Sequence, residues 1–281
     1  MSRKKILKLS IGLAVFMYVL IFIIGSLMNT KKVMGEDVNW MIIGIGLSVL
    51  HFLTSIVVIN ERELGAMFFL GRPVCDLESG PFFVFVPLFY IRKETKNVFQ
   101  LEMGTLDAED RERFTRLAES TSLFVMEEPL RINWGDLKSA ENVTQEERTK
   151  YKGNPYADAM VTDTHIIVRG KIHSLTMLIS RAGSLTEALE QIKETAMAAL
   201  QNMAGKTFVA RALPKLEEMS IELKGKIEEF VVDPNTPAYT TRPQDSWGLD
   251  VLLVHIKRIG TSKRVNVAIA DKGVAIYKAQ G

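Results

Sequence analysis

Cysteine is almost absent from this sequence, because Cys75 is the only one among 281 residues. A single cysteine cannot form an intrachain disulfide or a zinc site built from cysteines alone, which excludes a disulfide-stapled secreted domain. An excess of charge of one sign is also lacking, since 35 Lys and Arg balance 33 Asp and Glu to give a net charge of +2. Nucleic-acid-binding proteins usually carry a basic excess. We therefore expect no nucleic-acid partner.

Charged residues are missing from two long stretches near the N-terminus, residues 9–30 and 38–60. Each is long enough to cross a hydrocarbon core of about 30 Å, and Trp40 can anchor the second at the membrane interface. A cleaved signal peptide is the alternative for the first stretch, but its apolar part is too long and no small-x-small cleavage site follows it. The sequence predicts a membrane anchor over residues 1–60, with two transmembrane helices forming a tight hairpin.

Basic residues flank the two stretches unequally. The positive-inside rule counts four basic residues before the first stretch and two after the second, against two in the connecting loop. These are Arg3, Lys4, Lys5 and Lys8, then Arg62 and Arg72, against Lys31 and Lys32. We predict that the N-terminus and the domain after the second helix are cytoplasmic, with the anchor in the plasma (inner) membrane.

The most apolar run outside the predicted spans is Phe82–Ile91, which is too short to cross a bilayer and is interrupted by Pro87. It is either a pair of buried strands or an aromatic surface that contacts the membrane. The candidate membrane-contact residues are Trp40, Phe82, Phe83, Phe85, Leu88 and Phe89. Cys75 precedes this run and is a candidate for reversible acylation, although an inert thiol is the commoner case.

Strand and helix patterns alternate in the rest of the chain. Residues 66–70 predict a strand that ends in a turn at 71–73, and charged segments 102–120 and 135–155 predict exposed connections. Ser184 predicts the start of a helix with an apolar stripe to Met203, and Pro214 predicts a break in the next helix. We predict strands at 122–126 and 247–259, a loop at 233–245 and a final helix from residue 261.

The clearest strand pattern lies at residues 164–174. Its core face consists of Ile166, Val168, Gly170 and Ile172. His165 and His173 fall on the opposite, polar face, where eight residues of strand separate them by roughly 26 Å. They cannot hold one metal ion together, so we expect solvated or interface residues.

Motifs for catalysis and cofactor binding are missing from the sequence. Gly205-Lys206-Thr207 resembles the end of a phosphate-binding loop, but the glycine required five residues earlier is Leu200. The sequence contains no Gly-x-Ser-x-Gly elbow, no His-Glu-x-x-His motif and no dinucleotide fingerprint. We therefore assign no catalytic, cofactor-binding or metal-binding residue, and we expect a protein that is not an enzyme.

Histidines carry the alternative function, a membrane-bound enzyme or transporter component. His51 lies inside the second apolar stretch, and an ionisable group at membrane depth is a functional hypothesis by default. A neutral histidine packed between two helices is the interpretation that we favour. The other histidines that such a protein would use are His165, His173 and His255.

Several segments in a fixed order resemble one family. They are Val58-Ile-Asn-Glu-Arg-Glu-Leu-Gly65, Leu70-Gly-Arg-Pro73, Ser79-Gly-Pro81, the helix over 185–203, and Trp247-Gly248 opening a strand that ends His255-Ile-Lys257. This order resembles the stomatin, prohibitin and flotillin (SPFH, band-seven) superfamily. The resemblance implies an α+β SPFH-like domain of antiparallel strands and helices over 61–260, with a membrane-apposed part at 61–130 and a helix-rich part at 156–260. Residues 261–281 would begin a C-terminal helix.

The resemblance also implies a function. Proteins of this superfamily are non-enzymatic membrane scaffolds that form homo- or hetero-oligomers on the bilayer. They organise membrane microdomains or regulate membrane proteases and channels. We expect the same partners here: the lipid bilayer, further copies of the chain or its relatives, and a membrane protease or channel.

Overall fold

The computed structural model describes residues 3–28, 40–104, 122–231 and 247–261. They are a mixture of helix and strand, which confirms the predicted class at that level. The chain divides into two compact units, the first from residues 1–96 and 174–180 and the second from residues 97–173 and 181–281. The predicted loop at 233–245, most of the charged segment at 102–120 and the predicted final helix beyond residue 261 lie outside the described residues. Thr261 itself ends a strand, so the predicted helix does not begin there.

Two apolar helices begin the first unit. Helix α1 spans Arg3–Met28, and within it Lys5–Leu27 is the one described helix long and apolar enough to cross a membrane. Helix α2 spans Trp40–Thr54, whose 15 residues extend for about 22 Å, less than the roughly 30 Å of a hydrocarbon core. The predicted second span at 38–60 is therefore wrong in extent. The chain turns at Ser55 and continues as a strand.

Helices α1 and α2 run antiparallel and pack against each other. Tyr18 of α1 meets His51 of α2, whereas Ile21 meets Gly44, so the numbering rises along one helix as it falls along the other. A Cβ atom at Gly44 would lie 3.1 Å from Cγ2 of Ile21. The absence of a side chain at Gly44 lets the two helices approach closely.

Five short strands complete the first unit. Strand β2 lies between β3 and β5 in one antiparallel sheet, and β1 pairs with β4 in a second. Leu70 and Gly71 form the β2–β3 turn with φ of 48° and 83°, so Arg72 and Pro73 belong to β3 and not to the turn predicted there. Pro87 separates β4 from β5, as predicted. The bounds are β1 Ile56–Ile59, β2 Glu63–Phe69, β3 Arg72–Leu77, β4 Gly80–Phe83 and β5 Phe89–Thr95.

Helix α1 contributes directly to the core of the first unit. Ile6 and Ala14 are buried in the same cluster as Met67, Phe85 and Phe89. Aromatic and aliphatic side chains from the strands therefore pack on one face of the helix, where burial of apolar surface stabilises the contact. The predicted anchor at 1–60 and the strands up to residue 96 consequently belong to one unit.

The second unit is built on a five-stranded sheet in the order β10-β9-β6-β7, with β8 also pairing with β9. Strands β6 and β7 run parallel, so the prediction of antiparallel strands throughout is wrong for this pair. A parallel pair requires a long connection, and residues 104–121 separate these two strands. The bounds are β6 Phe99–Met103, β7 Ser122–Met126, β8 Leu130–Trp134, β9 Met160–Ile172 and β10 Leu249–Thr261.

Strand β9 is the centre of this sheet. Its predicted core residues are all buried. A Cβ atom at Gly170 would lie 2.5 Å from Cζ of Phe99 and 2.8 Å from the backbone oxygen of Asp250, so the close approach of β10 favours glycine there.

The opposite face of β9 is buried only in part: His165 is 1% exposed and the neighbouring Glu102 of β6 is fully buried, whereas Arg169 and Lys171 are exposed. The prediction that His165 is a solvated or interface residue is therefore wrong, and so is the prediction that an exposed connection begins at residue 102.

Five helices belong to the remainder of the described chain. Ser184 caps α5 by accepting a hydrogen bond from the backbone N of Glu187, as predicted. A 3-10 turn that contains Pro214 separates α6 from α7, which confirms the predicted break. The bounds are α3 Gln145–Lys150, α4 Leu175–Ala182, α5 Leu185–Gly205, α6 Val209–Ala212 and α7 Leu216–Val231.

The cap of α3 predicts a pH dependence. Hydrogen bonding to the backbone of Thr144, opposed by partial desolvation and assisted by nearby Arg211, lowers the pKa of Glu147 from its ordinary 4.5. A lowered pKa in the folded state contributes stability above pH 4.5 that is lost as the pH falls through the folded value. We expect the urea concentration at the unfolding midpoint to decrease as the pH is lowered below 4.5. E147Q should make this decrease with pH smaller. E146Q, on the same turn, is the control, and equal slopes in E147Q and the unmodified protein would contradict the prediction.

Candidate membrane-apposed site

Four polar side chains gather where α1 and α2 meet the strands. We call Ser10, Tyr18, His51 and Ser55 the polar cluster. Tyr18 Oη lies 2.8 Å from His51 Nδ1, and Ser55 Oγ lies 3.4 Å from the same nitrogen. His51 Nε2 lies 2.8 Å from the backbone oxygen of Val86. The cluster therefore links both helices to the segment between β4 and β5.

The bonding pattern assigns roles to the ring of His51. A carbonyl oxygen only accepts, so Nε2 carries a proton and donates to Val86. Nδ1 is then free to accept from the hydroxyl of Tyr18 without a charge on the ring. An uncharged imidazole matches this apolar setting, in which charge is costly. This agrees with the interpretation of His51 as a neutral histidine packed between helices.

The segment Val84–Leu88 has its backbone groups paired by its surroundings. The N–H of Phe85 donates to Oγ of buried Ser10 at 3.1 Å, and the N–H of Val84 donates to the carbonyl of Ser55 at 2.8 Å. The carbonyl of Leu88 accepts from the N–H of Leu70 at 2.9 Å. An unpaired backbone group away from water is costly, so these bonds suit a segment whose buried residues, Val84 and Phe85, lie beside apolar helices.

The aromatic residues around this segment divide between core and surface. Phe85 is buried with its ring 5.4 Å from that of His51, and Phe89 is only 1% exposed. These two side chains lie in the protein core, so the surface that we expected to contact the membrane does not include them. Phe82, Phe83 and Leu88 are half-buried, and Trp40 is the first residue of α2. Membrane contact by these four stays a prediction.

An apolar surface surrounds the polar cluster. Large hydrophobic side chains are exposed along most of α1 and α2, and the exposure continues on β1 at Ile56 and Val58. Phe83 of β4 stacks on Phe52 of α2 with 5.4 Å between ring centroids. Monomeric soluble proteins rarely expose apolar patches of this extent, which usually mark a membrane or a protein interface.

Cys75 lies on β3, half-buried and opposite Met67 of β2. Its thiol is therefore partly covered by the sheet. Acylation at this position stays a prediction.

The other three histidines belong to the sheet of the second unit and its borders. His165 Nε2 donates to Glu102 Oε2 at 3.0 Å, and Gln100 donates to the other oxygen of Glu102. His173 Nδ1 lies 2.9 Å from Asp250, and His255 is exposed on β10. Within the ranges that the structure describes, no group of three His, Cys, Asp or Glu side chains could hold a metal ion.

Sequence reasoning missed Ser10, Tyr18 and Ser55 as parts of a site. The available signal was that polar residues inside apolar helices need partners. Their partners lie far along the chain, since 75 positions separate Ser10 from Phe85. Spacing alone could not join them.

No protein-family model matches the chain, and no curated protein matches it.

Proposed function

We propose that this protein is a non-enzymatic membrane scaffold of the stomatin, prohibitin and flotillin type. In this proposal α1 and α2 anchor the chain, the strands of the first unit lie against the bilayer, and several copies assemble there. The assembly organises a membrane microdomain or regulates a membrane protease or channel. The observation that carries the proposal is the polar cluster, because it ties an apolar helix pair to the strands of the first unit.

The burial pattern of α1 supports a retained anchor. Only 17% of the most apolar 18-residue stretch of α1 is buried, far less than a core helix of a soluble protein would bury. The few buried residues nevertheless include Ile6, Ser10 and Ala14, which belong to the first unit's packing. Cleavage of α1 as a signal peptide would remove these side chains from the core. Both features favour a helix that stays attached and faces lipid on its other sides.

The short α2 helix suggests how deep the strands lie. An open sheet edge is not tolerated in the hydrocarbon region, because its backbone groups would lack partners. We therefore place β1 and β4 at the interface, where exposed Ile56 and Val58 meet lipid while edge groups reach water. The helices extend deeper from this level. The excess of basic residues in the first turns of α1 and after α2 favours a cytoplasmic location for the strands.

His51 is the histidine on which the rival function most depends. Tyr18 and Val86 engage its two ring nitrogens. An imidazole held in this way positions a segment of backbone, which favours a structural role over catalysis or proton transfer.

The mass of the assembly tests the proposal. Truncation at residue 61 is a poor control, because it removes Ile6, Ala14 and Ile59 from the core. We expect the full-length chain to crosslink into a discrete ladder in native membranes, and mass photometry in nanodiscs to give one species many times the mass of a single chain. A single-span protein of the same membrane, treated in parallel, controls for crowding. A monomer in both measurements would contradict the scaffold.

A further inference from the structure

An apolar groove lies between α1, the end of α2, β1 and β4. Its volume is about 390 Å³, within the range of small-molecule sites and less than a 10 Å length of a second helix would fill. Five of its lining residues are themselves exposed, so the groove is open to the surroundings of the helices. The residues used below are Ile11, Val15, Tyr18, Phe52, Ile56 and Phe83.

The lining favours a hydrocarbon chain as the occupant. Tyr18 supplies the one side-chain hydroxyl of the lining, and that hydroxyl is bonded to His51. The walls are otherwise aliphatic or aromatic, as at Val15 and Phe52. A polar peptide would find few partners here, whereas a methylene chain needs no hydrogen bonds and packs against these walls by dispersion contacts.

Two lysines precede the groove-lining residues of α1 in the same helix. Lys8 precedes Ile11 by three residues and Val15 by seven, so the three lie on one face of α1. Lys8 and Lys5 are both exposed, and α1 contains no acidic residue. A ligand whose apolar part fills the groove would therefore place its other end beside ammonium groups.

We propose that this groove binds one anionic phospholipid, with an acyl chain along Ile11 and Val15 and the phosphate beside Lys8. This inference rests on the proposed function, since it requires α1 to lie in the bilayer. Charge complementarity selects an anionic headgroup over a neutral sterol. The lipid would fill the space between the helices and β4, so that the scaffold carries a bound lipid as part of its structure.

The test counts lipids that stay with the protein. Full-length protein is reconstituted in equal parts of phosphatidylglycerol and phosphatidylcholine, extracted in mild detergent and examined by native mass spectrometry. V15W fills the groove and is expected to lower the retained phospholipid about tenfold. V49W is the matched control, because Val49 is similarly exposed on α2 but does not line the groove. It is expected to retain lipid as the unmodified protein does.

A second variant tests the headgroup. K8Q is expected to reduce the preference for phosphatidylglycerol about fivefold, since one lysine contributes modestly to anionic-lipid binding. K152Q, an exposed lysine of the second unit, should leave the preference unchanged. Equal retention of both lipids by the unmodified protein, or retention of an added sterol in their place, would overturn the proposal.

The remaining outcomes separate the lipid site from the scaffold. Equal losses in V15W and V49W would show lipid bound without a site and overturn the proposal. A changed assembly mass in V15W would show a second copy in the groove, which also overturns it. Loss of bound lipid in V15W, with an unchanged assembly mass, would support the lipid site. A chain recovered uncleaved in the soluble fraction would refute both the lipid site and the membrane scaffold.

Discussion

Replacing His165 by leucine is expected to lower the free energy of unfolding of the second unit by about 3–5 kcal/mol. His165 and Glu102 are 1% and 0% exposed and are joined at 3.0 Å. Removal of the imidazole leaves a buried carboxylate without this partner, and an uncompensated buried charge is among the most destabilising changes known. Urea unfolding followed by tryptophan fluorescence measures the loss, because Trp134 and Trp247 both belong to this unit.

The double variant H165L/E102L isolates the cause. If the cost comes from the stranded carboxylate, replacing both groups by apolar side chains should recover much of the stability. H255L is the matched control, since His255 is exposed on β10 and its loss should change stability by less than about 0.5 kcal/mol. An H165L variant as stable as H255L would show that the pair is unimportant.

The buried pair also shows what local sequence patterns can and cannot predict. Alternation along β9 correctly predicted that Ile166 and Val168 face the core, because side chains alternate across a strand. The same pattern marked His165 as polar and therefore exposed. Polar groups can be buried when they are bonded to each other, and Glu102 lies 63 positions from His165. No local pattern carries that pairing.

The predicted end of the second apolar helix was a different kind of error, because the sequence did contain a signal for the strand that begins there. Hydropathy treats residues 38–60 as one stretch, but Ile56-Val57-Val58-Ile59 consists entirely of β-branched residues, which favour strands over helices. The burial of the aromatic residues after β4, by contrast, could not be predicted from the local sequence. Phe85 and Phe89 look like surface aromatics near a membrane until α1 is seen to pack on them.

Breaking the polar cluster is expected to release the segment Val84–Leu88 while leaving both helices formed. Ser10→Ala removes the acceptor of the Phe85 N–H, and His51→Phe removes the donor to the Val86 carbonyl while keeping a ring. The Phe85 N–H is buried, and a buried group left unpaired costs about 1–3 kcal/mol. Amide hydrogen exchange at residues 84–86 in nanodiscs should therefore accelerate by roughly 5- to 150-fold in Ser10→Ala. A smaller acceleration is expected in His51→Phe, because Val86 is exposed.

Ser48→Ala is the matched control for this prediction. Ser48 donates to the carbonyl of Gly44 within α2, so its hydroxyl does not pair with the strands. Exchange at residues 84–86 should be unchanged in this variant, and circular dichroism should show equal helix content in all three. Equal acceleration in Ser10→Ala and Ser48→Ala would mean that any lost hydroxyl loosens the helix pair. Acceleration confined to Ser10→Ala and His51→Phe would instead mean that the anchor positions this segment through individual hydrogen bonds, as the scaffold proposal requires.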